Sequence, residues 1–197
     1  VPHHLTQRGN RRQEVFFSEY DYQYYYDLLF DWSHRSKMQI WSYCFMPNHV
    51  HMISVPESEE SFKGFGETNR RYTRNINFRE GWRGYLWQGR FASFPLSAEH
   101  LYQAIRYVEL NPVRAGLVKE ARQLRWSSAH ARANDPLLTN IDFLKIDWQV
   151  YLSESELELF RKHERTGRPL GNEEFVKKLE NMTNRDLAKK KPGPKTN

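Results

Sequence analysis

Two apolar runs, "MQIWSYCFM" at 38–46 and "HVHMISV" at 49–55, are separated only by Pro47 and Asn48. Both carry the β-branched and aromatic residues of strands, and a link of two residues joins strands only as an antiparallel hairpin. Everything else in the chain has to cover that hairpin.

The covering elements read as follows. "HHLTQRG" (3–9) has strand chemistry and ends at Gly9, followed by the basic turn "NRR". "SEYD" (18–21) is a capping box opening a helix through "YQYYYDLLFDWSHRSK", with Tyr22, Tyr25, Tyr26, Leu29 and Trp32 at helical spacing. "SFKGFGETNRRYTRNINF" (61–78) predicts a second helix, Phe62, Phe65, Tyr72 and Ile76 inward and Arg70, Arg71 and Arg74 outward. "GYLWQGRFASFPL" (84–96) suits a strand, and Ser97 opens a helix that Pro112 stops. The order strand, helix, strand, strand, helix, strand, helix predicts an α+β sandwich of ferredoxin-like type, helices packed on one antiparallel sheet. The expected organisation is a core domain over 1–130, a C-terminal helical extension over 131–184, and a basic disordered tail over 185–197. After about residue 125 the texture changes: "WSSAHARANDPLLTNIDFLKIDW" reads as loop, Ser153 and Glu156 as a capping box, and "NEEFVKKLENM" as an amphipathic helix.

A single cysteine, Cys44, excludes disulfide frameworks and cysteine-based zinc modules and fits a reducing cytoplasm. No apolar stretch approaches the roughly 18 residues of a membrane span, no signal-peptide pattern opens the chain, and the initiator end is expected before Val1. The net charge of +6 favours an anionic partner such as nucleic acid. Residues 1–125 hold 14 Arg against 3 Lys, and the planar guanidinium suits two-pronged contact with phosphate.

His49 and His51 lie one residue apart in a strand and therefore project from the same face. Burying two imidazoles together is costly unless each finds a partner, and a divalent ion would satisfy both. Two half-exposed histidines bonded to water or backbone are the alternative. His34, His100, His130 and His163 have no partner at ligand spacing, and His3 and His4 point to opposite faces. No HExxH pattern accompanies the pair, which weighs against a metal-dependent hydrolase of small phosphoesters. Farther on, "RYVELNPVRAGLV" (106–118) puts Tyr107 and Asn111 on one helix face, with the Asn111 amide oxygen expected to be free where the helix ends. A tyrosine hydroxyl beside a metal is a nucleophile for phosphodiesters.

"MPNHVHMI", "LWQGRF" and "RYVELNPVRAGLV", in that order, closely resemble the single-tyrosine HUH transposases, and within them the REP-associated tyrosine transposases. The resemblance covers residues 3 to about 130, and "GRPLGNEEF" with the basic tail resembles their C-terminal extension. It implies a ferredoxin-like HUH domain in which His49, His51 and Asn111 hold Mg²⁺ or Mn²⁺. Asn111 stands where the insertion-sequence branch usually has Gln. Tyr107 would attack single-stranded DNA to form a 5′-phosphotyrosine. The implied substrate is hairpin DNA with single-stranded flanks, and the DNA path is expected along Arg8, Asn10, Arg11, Arg12, Arg70, Arg71, Arg74, Arg90 and Arg114. The expected protein is cytoplasmic, associated with the nucleoid through DNA, and monomeric, with a dimer as the other arrangement. A hairpin-binding module that no longer cuts is the alternative function.

Overall fold

The computed structural model describes residues 1–141 and 154–187. The strands are β1 (His3–Arg8), β2 (Met38–Met46), β3 (His49–Pro56) and β4 (Ala92–Pro95). The helices are α1 (Glu19–Arg35), α2 (Phe62–Glu80), α3 (Leu101–Glu109), α4 (Asn111–Arg114), α5 (Ser128–Ala131), α6 (Glu154–Thr166) and α7 (Glu173–Thr183). All sheet pairings are antiparallel, in the order β2-β3-β1-β4. This is the split βαβ arrangement of a ferredoxin-like sheet, and the fold is α+β as the element order predicts.

The two faces of the sheet carry different layers. Leu5, Tyr43, Phe45, Val50 and Met52 pack against Tyr25 and Leu29 of α1 and Phe65, Tyr72 and Ile76 of α2. On the other face Cys44, Met46 and Ile53 pack against Ile105, Tyr107 and Val108 of α3 and Leu157 and Phe160 of α6. Strand alternation puts His4, Thr6, Arg8, His49 and His51 on this second face. Ser18 caps α1, its hydroxyl accepting from Asp21 N. Gly9 ends β1 where the chain passes close to another segment: a Cβ there would lie 3.2 Å from the Asn48 carbonyl oxygen and 2.9 Å from Val15 Cγ1.

Three expectations are corrected. The strand predicted over 84–96 contracts to Ala92–Pro95, because residues 84–91 run irregularly: Trp87 turns its indole N–H to the Asn69 carbonyl, and the Gly89 carbonyl accepts from the Gln7 side chain. Pro112 does not stop helical structure. It sits in the first turn of α4, where its missing N–H is no loss. The segment after Trp126 is not merely loop, since Phe45 N donates to Trp126 O and Thr139 N to Ile40 O, holding residues 126–139 along β2. Ser153, the run 142–150 and the basic run from 188 onward lie outside the described residues.

Candidate active site

The β1–β3 register sets Thr6 opposite His51 and Arg8 opposite His49. The two histidine rings are 4.8 Å apart and nearly perpendicular, and the His49 Nδ1 meets the Asn48 side-chain oxygen at 2.5 Å. Both line one open cavity of about 650 Å³. Burial, helped by the neighbouring Arg8, lowers the His49 pKa to about 4, and burial with the adjacent imidazoles and arginines holds His51 well below the usual histidine value. Near neutral pH both rings are uncharged, the form in which imidazole ligates a metal.

The cavity wall is strongly cationic. Arg8, Arg12 and Arg90 line it from the core, and Arg161 and Arg165 reach it from α6, with Glu164 the only carboxylate among the lining residues. Asn10 and Arg11 form the turn leading to Arg12, and Arg11 and Arg12 are both exposed. Arg70, Arg71 and Arg74 are elsewhere. They are exposed on α2, which covers the opposite face of the sheet, and Arg70 and Arg71 pair with Glu67 on their own helix.

Tyr107 is 5% exposed and does not line the cavity. Its ring centroid lies 6.3 Å from that of His51. Phe160 of α6 stacks on it at 4.9 Å, and the Arg114 guanidinium stands 4.1 Å from its centroid. Its hydroxyl donates to Glu164 Oε2 at 3.2 Å. Burial, and after it the Glu164 carboxylate, push the phenol pKa above its ordinary value.

Asn111 departs from expectation. Its side-chain oxygen is not free but accepts from Arg114 Nη2 at 3.0 Å, and Asn111 does not line the cavity. The cause is local: α4 restarts at Asn111, so Arg114 lies one turn on, with the same nitrogen also bonded to the Tyr107 carbonyl. Arg114 thus braces the tyrosine and does not line the cavity.

Two groups that the sequence reading set aside enter the site. His4 is fully buried, with Nε2 3.0 Å from His51 Nδ1, and His163 of α6 stacks beside it with centroids 6.1 Å apart. Glu164 carried no signal in its own stretch. The signal for His4 lay in topology: once β1 is laid against β3, its alternation brings His4 to the His51 side.

A sequence profile for IS200-like transposases matches residues 1–111. The chain belongs to that family. This IS200-like transposase is a DNA cleavage and joining enzyme by that membership. A solved REP-associated tyrosine transposase bound to a REP hairpin has the same fold, with a TM-score of 0.57 at 21% identity over 70% of this chain and 82% of that one. A Deinococcus radiodurans R1 protein described as a candidate transposase gives a TM-score of 0.41 at 22% identity, over 55% of this chain and 88% of its own. No curated protein sequence matches the chain.

Proposed function

We propose that this transposase cuts and rejoins the single-stranded flank of hairpin DNA through a covalent 5′-phosphotyrosine on Tyr107. The observation that carries the reading is the convergence on one sheet face of two neutral imidazoles, a tyrosine packed beside them and an arginine-lined cavity. His49 and His51 would hold a divalent ion, Mg²⁺ or Mn²⁺, with the scissile phosphate and water supplying the oxygen ligands such ions favour, and the ion would neutralise charge on that phosphate; Asn111, tied to Arg114, does not supply the third donor in this arrangement.

In cleavage the Tyr107 oxygen forms a bond to phosphorus, its proton passes to an acceptor, and the P–O3′ bond breaks to release a protonated 3′ hydroxyl. Rejoining is the reverse, a 3′ hydroxyl attacking the phosphotyrosine. Arg8, Arg12, Arg90, Arg161 and Arg165 hold phosphates along the strand, positioning rather than reading it. Because Phe160 and Glu164 cover Tyr107, a phosphate reaches the hydroxyl only when α6 gives ground. Tyr107 lies beside His51 of its own chain, ring centroids 6.3 Å apart, which supports a monomer as the working unit. No helix of the described residues is long and apolar enough to cross a membrane, and the proposed location is the cytoplasm.

The test is incubation of labelled single-stranded hairpin DNA with Mg²⁺ or Mn²⁺, followed by a denaturing gel. The native chain is expected to give a slow-migrating covalent adduct that Tyr107→Phe abolishes. Tight hairpin binding with no adduct under either metal would replace this reading with that of a binding module.

A further inference from the structure

Glu164 Oε1 is buried and receives no hydrogen bond, although it lies between two imidazoles. It is 3.3 Å from His51 Nδ1 and 3.6 Å from His4 Nε2, and those nitrogens are 3.0 Å apart. Among the described residues, this is the group of three His, Cys, Asp or Glu side chains whose ligand atoms all lie within 4.8 Å of one another. A carboxylate oxygen buried without a donor is costly, and the one proton that the two nitrogens share does not reach it.

A cation resolves all three atoms together. A circle through points so spaced has a radius of about 1.9 Å, and ligands at about 2.0–2.1 Å around a tetrahedral ion stand about 3.3–3.4 Å apart. The three donors therefore have the spacing of three corners of one tetrahedron. We propose that His4, His51 and Glu164 form a binding site for a divalent transition ion of the Zn²⁺ class, with water as fourth ligand. Two imidazoles and one carboxylate suit Zn²⁺ or Co²⁺, whereas Mg²⁺ selects oxygen.

This site differs from the cavity pair. His49 takes no part in it, its Nδ1 being engaged by Asn48, and only His51 belongs to both. The bound ion would tie β1, β3 and α6 to one centre. The other oxygen of its carboxylate ligand accepts from the Tyr107 hydroxyl, so the ion stands one carboxylate away from the tyrosine. Nothing in this inference rests on the cleavage reaction, and a protein that never forms an adduct could still bind the ion here.

The experiment is Co²⁺ titration of the chelator-stripped, full-length protein, read by visible absorption and by Zn²⁺ competition, with thermal unfolding as a folding control. The expected result is one ion per chain with the intense bands of tetrahedral Co²⁺, retained in His49→Ala and weakened more than about tenfold in both Glu164→Gln and His4→Gln. Glu164→Gln keeps the shape of the side chain and tests the site should the buried His4 variant misfold. Loss of the ion in His49→Ala would place it on the cavity pair and overturn the inference. An unchanged affinity in Glu164→Gln, or no binding by the native chain, would overturn it as well.

Discussion

Phe160→Ala is the perturbation that most directly probes how Tyr107 is covered. Phe160 is 1% exposed and its ring stacks on Tyr107 with centroids 4.9 Å apart and planes 23° from parallel. Truncating a buried phenylalanine costs about 3–5 kcal/mol, part of it from the ring pair itself. The lower end applies, since Phe160 sits between α6 and the core and not at the centre of the domain. If α6 leaves the sheet as a unit, about 3 kcal/mol raises its undocked population by roughly a hundredfold. Two measurements follow the same variant: hydrogen exchange of the α6 amides, and the rate of adduct formation with hairpin DNA. Exchange is expected to quicken by about that factor, with adduct formation rising alongside until the undocked form dominates. Faster exchange with an unchanged or slower adduct rate would refute the steric reasoning, because it would show that the hydroxyl is reached with α6 in place.

Acid should destabilise the fold in a defined window. His49 and His163 are held at about 4 chiefly by burial, against 6.5 when exposed, so between those values the unfolded chain binds protons that the folded one refuses. Stability is therefore complete above about pH 6.5 and declines as the pH falls toward 4; urea midpoints at pH 7.5, 6.0 and 4.5 check this, and His49→Gln should flatten the slope. The arginines should divide by sheet face. Arg90→Ala is expected to lower the salt slope of single-stranded DNA binding by about 0.7 per lost phosphate, while Arg70→Ala leaves it unchanged; equal effects would contradict the assignment to faces.

The hairpin was legible because Pro47 and Asn48 leave two apolar runs no other way to pair, α1 because its cap and its helical spacing agree, and α2 from helical spacing alone. The same-face projection of His49 and His51 followed from a period of two. What was hidden depends on contacts between distant segments. His4 reads as an ordinary strand residue until the β1–β3 register is known, and Glu164 as the solvated face of a polar helix until α6 docks. Asn111 was misread for a local reason, since helix termination at a proline and helix restart with proline in the first turn look alike in sequence. The short β4 was overdrawn because "GYLWQGR" has strand composition, whereas Trp87 is anchored sideways by its indole.

The two sides of the sheet also report differently to the experimenter. One side holds the aromatic core of α1 and α2; the other holds the histidines, the tyrosine and the helix that covers it. A melting curve samples the packing on both sides, whereas a gel assay reports on the second alone. Variants of Tyr25 or Ile76 should surrender thermal resistance while the surviving molecules work normally, and variants of Arg90 should melt like the parent and fail at the bench. Screening this transposase by heat alone would pass over the very substitutions that disable it.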